Sequence, residues 1–140
     1  MQRNLIIVGA VAAVVAIFAI SMPAQKEPAG EIFFLTPTDG ATVKGTFKVA
    51  FGARDVQIVP AGTEQTQSGH HHLLIDTGLP PLDQSIPKDA QHHHFGGGQT
   101  ETEITLPPGA HHLQLLLGDH NHIPHDPPIV SKMITVTVEE

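Results

Sequence analysis

Period-two alternation of apolar and polar residues dominates the chain after its first thirty positions. The stretch "TFKVAF" sets Phe47, Val49 and Phe51 on one side and Thr46, Lys48 and Ala50 on the other. In "ETEITL", Thr102, Ile104 and Leu106 oppose Glu101, Glu103 and Thr105, and "KMITVTVEE" holds Ile134, Val136 and Val138 in phase. Short apolar runs at residues 32–35 and 56–59, with the longer "HHHLLID" and "HHLQLLLGD", bring the predicted strands to seven. Asp39-Gly40, Pro60-Ala61-Gly62 and Pro107-Pro108-Gly109 supply turn chemistry between them. Seven short strands over about 110 residues predict an all-β fold, an immunoglobulin-like antiparallel β-sandwich. A jelly roll or small barrel uses the same signal and stands as the alternative. The connection from Thr77 to Gly98 is long for a compact domain, and loops of that length tend to be functional or mobile.

The first 24 residues follow another pattern. "MQRN" is a short basic head, and residues 5–20 form an uncharged apolar run of 16 residues. An N-terminal apolar helix is expected here, serving as a cleaved signal peptide or as an uncleaved transmembrane helix that anchors the chain. Ala19-Ile20-Ser21 obeys the small-x-small cleavage pattern, whereas Met22-Pro23-Ala24 begins with a large residue. Either outcome places the rest outside the cytoplasm, in a periplasmic or other extracytoplasmic setting. Residues 25–30 read as a linker and residues 31–140 as one histidine-rich domain.

Composition narrows the chemistry. The chain has no cysteine, which excludes disulfides, thiolate metal sites, iron–sulfur clusters and cysteine nucleophiles. Its formal charge is −7 with neutral histidine, and only Arg3 among the basic residues precedes Gln25. An acidic surface of this kind argues against nucleic-acid partners and against anionic lipid, leaving the N-terminal segment as the only expected membrane contact. Eleven histidines make the charge unusually sensitive to mild acid.

Those histidines fall into four groups, at 70–72, 92–94, 111–112 and 120, 122 and 125. In extended backbone His70 and His72 share a face, as do His92 and His94, and an H-x-H pair grips a metal without bending the chain. Pro124, Pro127 and Pro128 stiffen the loop that carries His120, His122 and His125, which lowers the ordering cost of a ligand set. His70, His72, His94, His122 and His125 are therefore the candidate metal ligands. Imidazole with optional carboxylate suits zinc or copper(II) among other divalent ions, and the scarcity of sulfur disfavours copper(I). Asp76, Asp119 and Asp126 are adjacent to these groups and are candidates for ligands or for orienting an imidazole N–H.

A structural reading competes for part of the set. His71 lies in phase with Leu73 and Ile75, and His111 with Leu113, Leu115 and Leu117, so both read as core-edge histidines bonded to protein groups. His92, His93, His112 and His120 read as solvated surface. "FGGGQTE" precedes a strand rather than a helix, so it is not a phosphate loop, and the glycines suit a sharp turn beside His94. No zinc-protease helix or serine-nucleophile elbow is present.

The motifs "GHHHLLID", "HFGGGQTETEITLPPGAHHLQLLLGD" and "NHIPHDPP" together resemble a family of small bacterial exported domains known as domain of unknown function 4399. The resemblance runs from about Glu31 to the C-terminus and implies no established activity. It implies histidine at positions 70, 71, 72, 94, 111, 122 and 125, with His92, His93, His112 and His120 as local enrichment. His122, His125 and Asp126 then remain as a group able to meet residues 70–72 at one end of the sandwich.

Three functions are compatible with these observations. The first is a non-enzymatic exported domain that binds a transition metal through clustered imidazoles. The second is a structural or interaction module whose histidines are hydrogen-bonded supports or pH sensors. The third, a metal-dependent enzyme, lacks a convincing acid or base and ranks last.

Overall fold

The alternating segments pair into two sheets, as seen in a computed structural model that describes residues 9–140. The smaller sheet has the order β1 (Glu31–Thr36), β3 (Thr46–Arg54), β7 (Glu101–Thr105). The larger runs β2 (Thr42–Lys44), β9 (Ile134–Glu139), β8 (Gly109–Gly118), β5 (Ser68–Ile75), β4 (Gln57–Ile58), with β6 (His92–His94) also paired to β5. All seven predicted strands are present and their inner faces are as the alternation implies. Phe47, Val49 and Phe51 from one sheet meet Leu73, Leu113, Leu115, Leu117, Ile134, Val136 and Val138 from the other in a single buried cluster. Burying a side chain of this size contributes roughly 1.5–3 kcal/mol, so this interlayer core is the main source of stability.

Three expectations need correction. Nine strands form among the described residues rather than seven, because β2 and β6 are three-residue segments held by their neighbours. The larger sheet is mixed rather than antiparallel, since β2 runs parallel to β9 and β4 parallel to β5. The expected N-terminal helix is absent over residues 9–24, which carry no regular secondary structure, while residues 1–8 lie outside the described residues. No helix among the described residues is long and apolar enough to cross a membrane. The physical reason is that this run is rich in β-branched residues and its side chains, such as Val11 and Ile17, face solvent. Helices in water owe most of their stability to packing, and residues 9–24 are exposed throughout.

β5 is the strand that positions the site. It sits between β8 on one edge and β4 and β6 on the other, and all eight of its residues are buried. Its inner face adds His71, Leu73 and Ile75 to the interlayer core. Its outer face would normally be wet, but Leu74 there packs with Leu116, Ile86 and Val130 in a second cluster. Ile86 comes from the long connection between β5 and β6, so that loop lies over the outer face of the sheet.

Candidate metal centre

Alternation along β5 splits the three consecutive histidines as predicted. His71 enters the core, where its ring centroid lies 5.0 Å from that of Phe51. Both of its ring nitrogens are buried without a hydrogen-bond partner among the described residues, where a bond to a protein group was expected. His70 and His72 point to the outer face. Their Nε2 atoms are 3.0 Å apart, close enough for one ring to donate to the other.

Two further elements bring imidazoles to this pair. β6 runs antiparallel to β5 with His94 opposite His72, and their ring centroids are 5.1 Å apart. The turn after β8 delivers His122, whose ring lies 4.7 Å from His94 and 4.9 Å from His70. That turn is locally built. Asp119 Oδ1 accepts the backbone N–H groups of Asn121 and Ile123, and the His122 N–H donates to the Asp119 carbonyl. His122 adopts a left-handed backbone with φ of 64°, uncommon for a non-glycine residue and typical of strained functional positions. Ile86 N–H donates to the His122 carbonyl at 2.8 Å, tying the covering loop to the site.

One potential ligand atom each from His70, His94 and His122 lies within 4.8 Å of the others. His70 is fully buried, while His94 and His122 are half-buried. His72 borders this triplet. His125 stands apart from it, because its Nε2 bonds to the Ser68 carbonyl at 2.9 Å. Asp126 makes no side-chain hydrogen bond to an imidazole among the described residues; its backbone carbonyl accepts from Lys26. Asp76 does orient an imidazole, but a remote one. Its carboxylate contacts His111 Nδ1 at 2.6 Å and the His112 N–H at 2.8 Å, beyond the far end of β5. His111 Nε2 donates to the Pro107 carbonyl, so this histidine is a structural brace. Of the four assigned to surface, His92 is instead buried against Asp89 at 2.7 Å.

Burial lowers the basicity of the clustered rings. Desolvation first, then repulsion from neighbouring imidazoles, pushes His70 down to about 4 and His72 to about 3. His71 is pushed to about 4 by desolvation and then by His70. His94 is lowered by desolvation, by His122 and by Lys88. These rings are neutral at pH 7, the protonation state that metal ligation requires. Three buried nitrogens, His70 Nδ1, His72 Nδ1 and His94 Nε2, have no hydrogen-bond partner among the described residues.

Two glycines clear space for the rings. A Cβ on Gly96 would run into the His94 imidazole, and one on Gly118 would lie 2.9 Å from His72 Nε2. Gly96 was legible as a turn residue beside His94, but its part in seating the ring was not. Ser85, Ile86 and Lys88 were also missed, although the length of their loop was the signal that pointed to them.

Comparison with known proteins supports the family resemblance. The family model for a domain of unknown function (DUF4399) matches residues 49–139, and the chain belongs to that family. The match begins within β3, later than the motifs implied. No curated protein matches. Among solved structures, an endo-β-1,4-mannanase from Thermotoga petrophila is similar at 12% identity with a TM-score of 0.49, covering 83% of this chain and 21% of that one. Fibronectin(III)-like modules of Clostridium thermocellum CbhA are similar at 14% identity with a TM-score of 0.37, covering 76% of this chain and 92% of theirs.

Proposed function

We propose that this domain binds a divalent transition metal, zinc or copper(II), through His70, His94 and His122, and that it does so outside the cytoplasm. One observation carries the reading: three imidazoles from three separate elements converge on one partly buried point, with ligand atoms within 4.8 Å. Shared tetrahedral ligation at about 2.0–2.1 Å per bond brings nitrogens to about 3.3 Å from one another. Closing the triplet therefore takes an approach of at most about 1.5 Å between ligand atoms, a distance that side-chain rotation can cover. The apolar run at residues 5–20 supports export.

Calorimetric titration of the full chain with zinc and with copper(II) is expected to give one site per chain, tighter than a flexible histidine tag. Absence of saturable binding would sink the proposal. Gly96→Ala is expected to weaken that binding by about tenfold, the usual scale for a residue that orients a ligand without touching the metal. Its added methyl displaces the His94 ring, while Gly96 has no left-handed backbone that a side chain would strain.

A second reading, a pH-responsive structural module, is favoured by His71. This ring lies on the opposite face of β5 from His70, is fully buried and has no hydrogen-bond partner at either nitrogen among the described residues. Metal-independent melting with a strong pH dependence is its signature.

A further inference from the structure

The triplet does not lie in a sealed pocket. A cavity of about 290 Å³ opens onto it, lined by His72, Ser85, Ile86, Lys88, His94 and His122. The covering loop forms one wall, pinned by Ile86 against Leu74 and Leu116 and by its bond to the His122 carbonyl. Ser85 and Lys88 flank that anchor, and both exposed residues line the cavity.

The charge of the site is unbalanced for a metal ion. Three neutral imidazoles leave a dication with its full charge in a partly desolvated place. No carboxylate lines the cavity, and the one carboxylate that acts electrostatically on His70, Asp119, is already engaged by two backbone N–H groups. In a chain of net charge −7, the side chain at the mouth is nevertheless a lysine. A lysine there repels the metal and attracts whatever compensates it. Three protein ligands also leave a tetrahedral ion one position short, as in zinc sites that accept an external ligand.

We propose that the loaded site takes a small anion as its remaining ligand, drawn in by Lys88 and Ser85 of the covering loop. This inference rests on the metal-binding reading, and the two fail separately. The probe is azide added to the copper(II)-loaded full chain, followed through its ligand-to-copper charge-transfer absorption. A saturable band is expected, and Lys88→Gln is expected to act with opposite signs on the two ligands. It should weaken azide and tighten copper, each by about two- to fivefold, as suits a solvent-exposed charge. Ser85→Ala should weaken azide alone.

Copper uptake with no azide band overturns the anion site and leaves metal binding standing. A band whose strength is indifferent to Lys88→Gln overturns the role given to the loop. No copper uptake removes both readings together.

Discussion

Lowering the pH from 7 to 5 is expected to lower the domain's folding stability by several kcal/mol in the absence of metal. His70 and His71 are held at about 4 and His72 at about 3, against 6.5 in an unfolded chain. Between these values the unfolded chain binds protons that the folded chain refuses, so stability falls with pH. The loss begins as pH drops through 6.5 and ends once the folded rings protonate, near 4 for two of them and 3 for the third. At pH 5 each ring contributes a loss of roughly 2 kcal/mol, and three give an upper bound of roughly 6 kcal/mol. Domains of this size are typically stable by only about 5–15 kcal/mol. The Asp76–His111 pair acts the other way in this window. Its carboxylate, with a backbone bond, raises the His111 pKa, so that contribution is fully present below 6.5 and is lost as pH rises through the folded value. One exposed-edge pair against three buried rings does not reverse the sign. Urea melts at pH 7, 6 and 5 measure the effect, and a midpoint that is flat across that range would refute it.

His71 allows the acid effect to be separated from the metal site. It packs on Phe51 in the interlayer core with both nitrogens unpartnered. Leucine fills a similar volume without a polar group, so His71→Leu should stabilise the fold at pH 7 by about 1–2 kcal/mol. The same variant should lose about one third of the acid sensitivity. A destabilised His71→Leu would mean that the ring has a partner that its neighbours do not supply.

The sandwich was legible because its core strands alternate, and alternation reports which face is buried without any knowledge of partners. The same logic separated His71 from His70 and His72. It could not reveal β2 or β6, whose three residues hold no pattern of their own and form only by pairing with β9 and β5. The triplet was half visible for a related reason. H-x-H spacing put His70 and His72 on one face, but the register that sets His94 opposite His72 depends on the path of a long loop. His125 looked equivalent to His122, three residues away, until the turn at Asp119 aimed one ring at the cluster and the other at the Ser68 carbonyl. Asp76 was adjacent in sequence to the cluster yet serves a histidine 35 positions later. Apolar content alone suggested a helix at the N-terminus, whereas a helix there also needs a surface or a bilayer to pack against.

His122 should be the most sensitive position for metal binding. Its backbone carries the tie to Ile86, and its ring completes the triplet, so the two roles can be divided by choosing the replacement. Asparagine tolerates the left-handed backbone that His122 adopts, whereas alanine would add strain to the lost ligand. His122→Asn is therefore expected to keep its metal-free stability within about 1 kcal/mol of the parent. Its metal affinity should fall by about a hundredfold or more, because two imidazoles remain where three closed the site. In the parent, free metal at a thousand times Kd stabilises the fold by about 4 kcal/mol, a rise in melting temperature of roughly 10–20 °C. At the same metal concentration that rise should fall to about a third or less in His122→Asn. His125→Gln supplies the contrast. Its ring is engaged with Ser68, so that variant should lower the metal-free melting temperature while keeping the metal-induced rise. If His125→Gln instead cuts the rise as far as His122→Asn, the ligand set extends beyond the triplet and the loop must close further on loading.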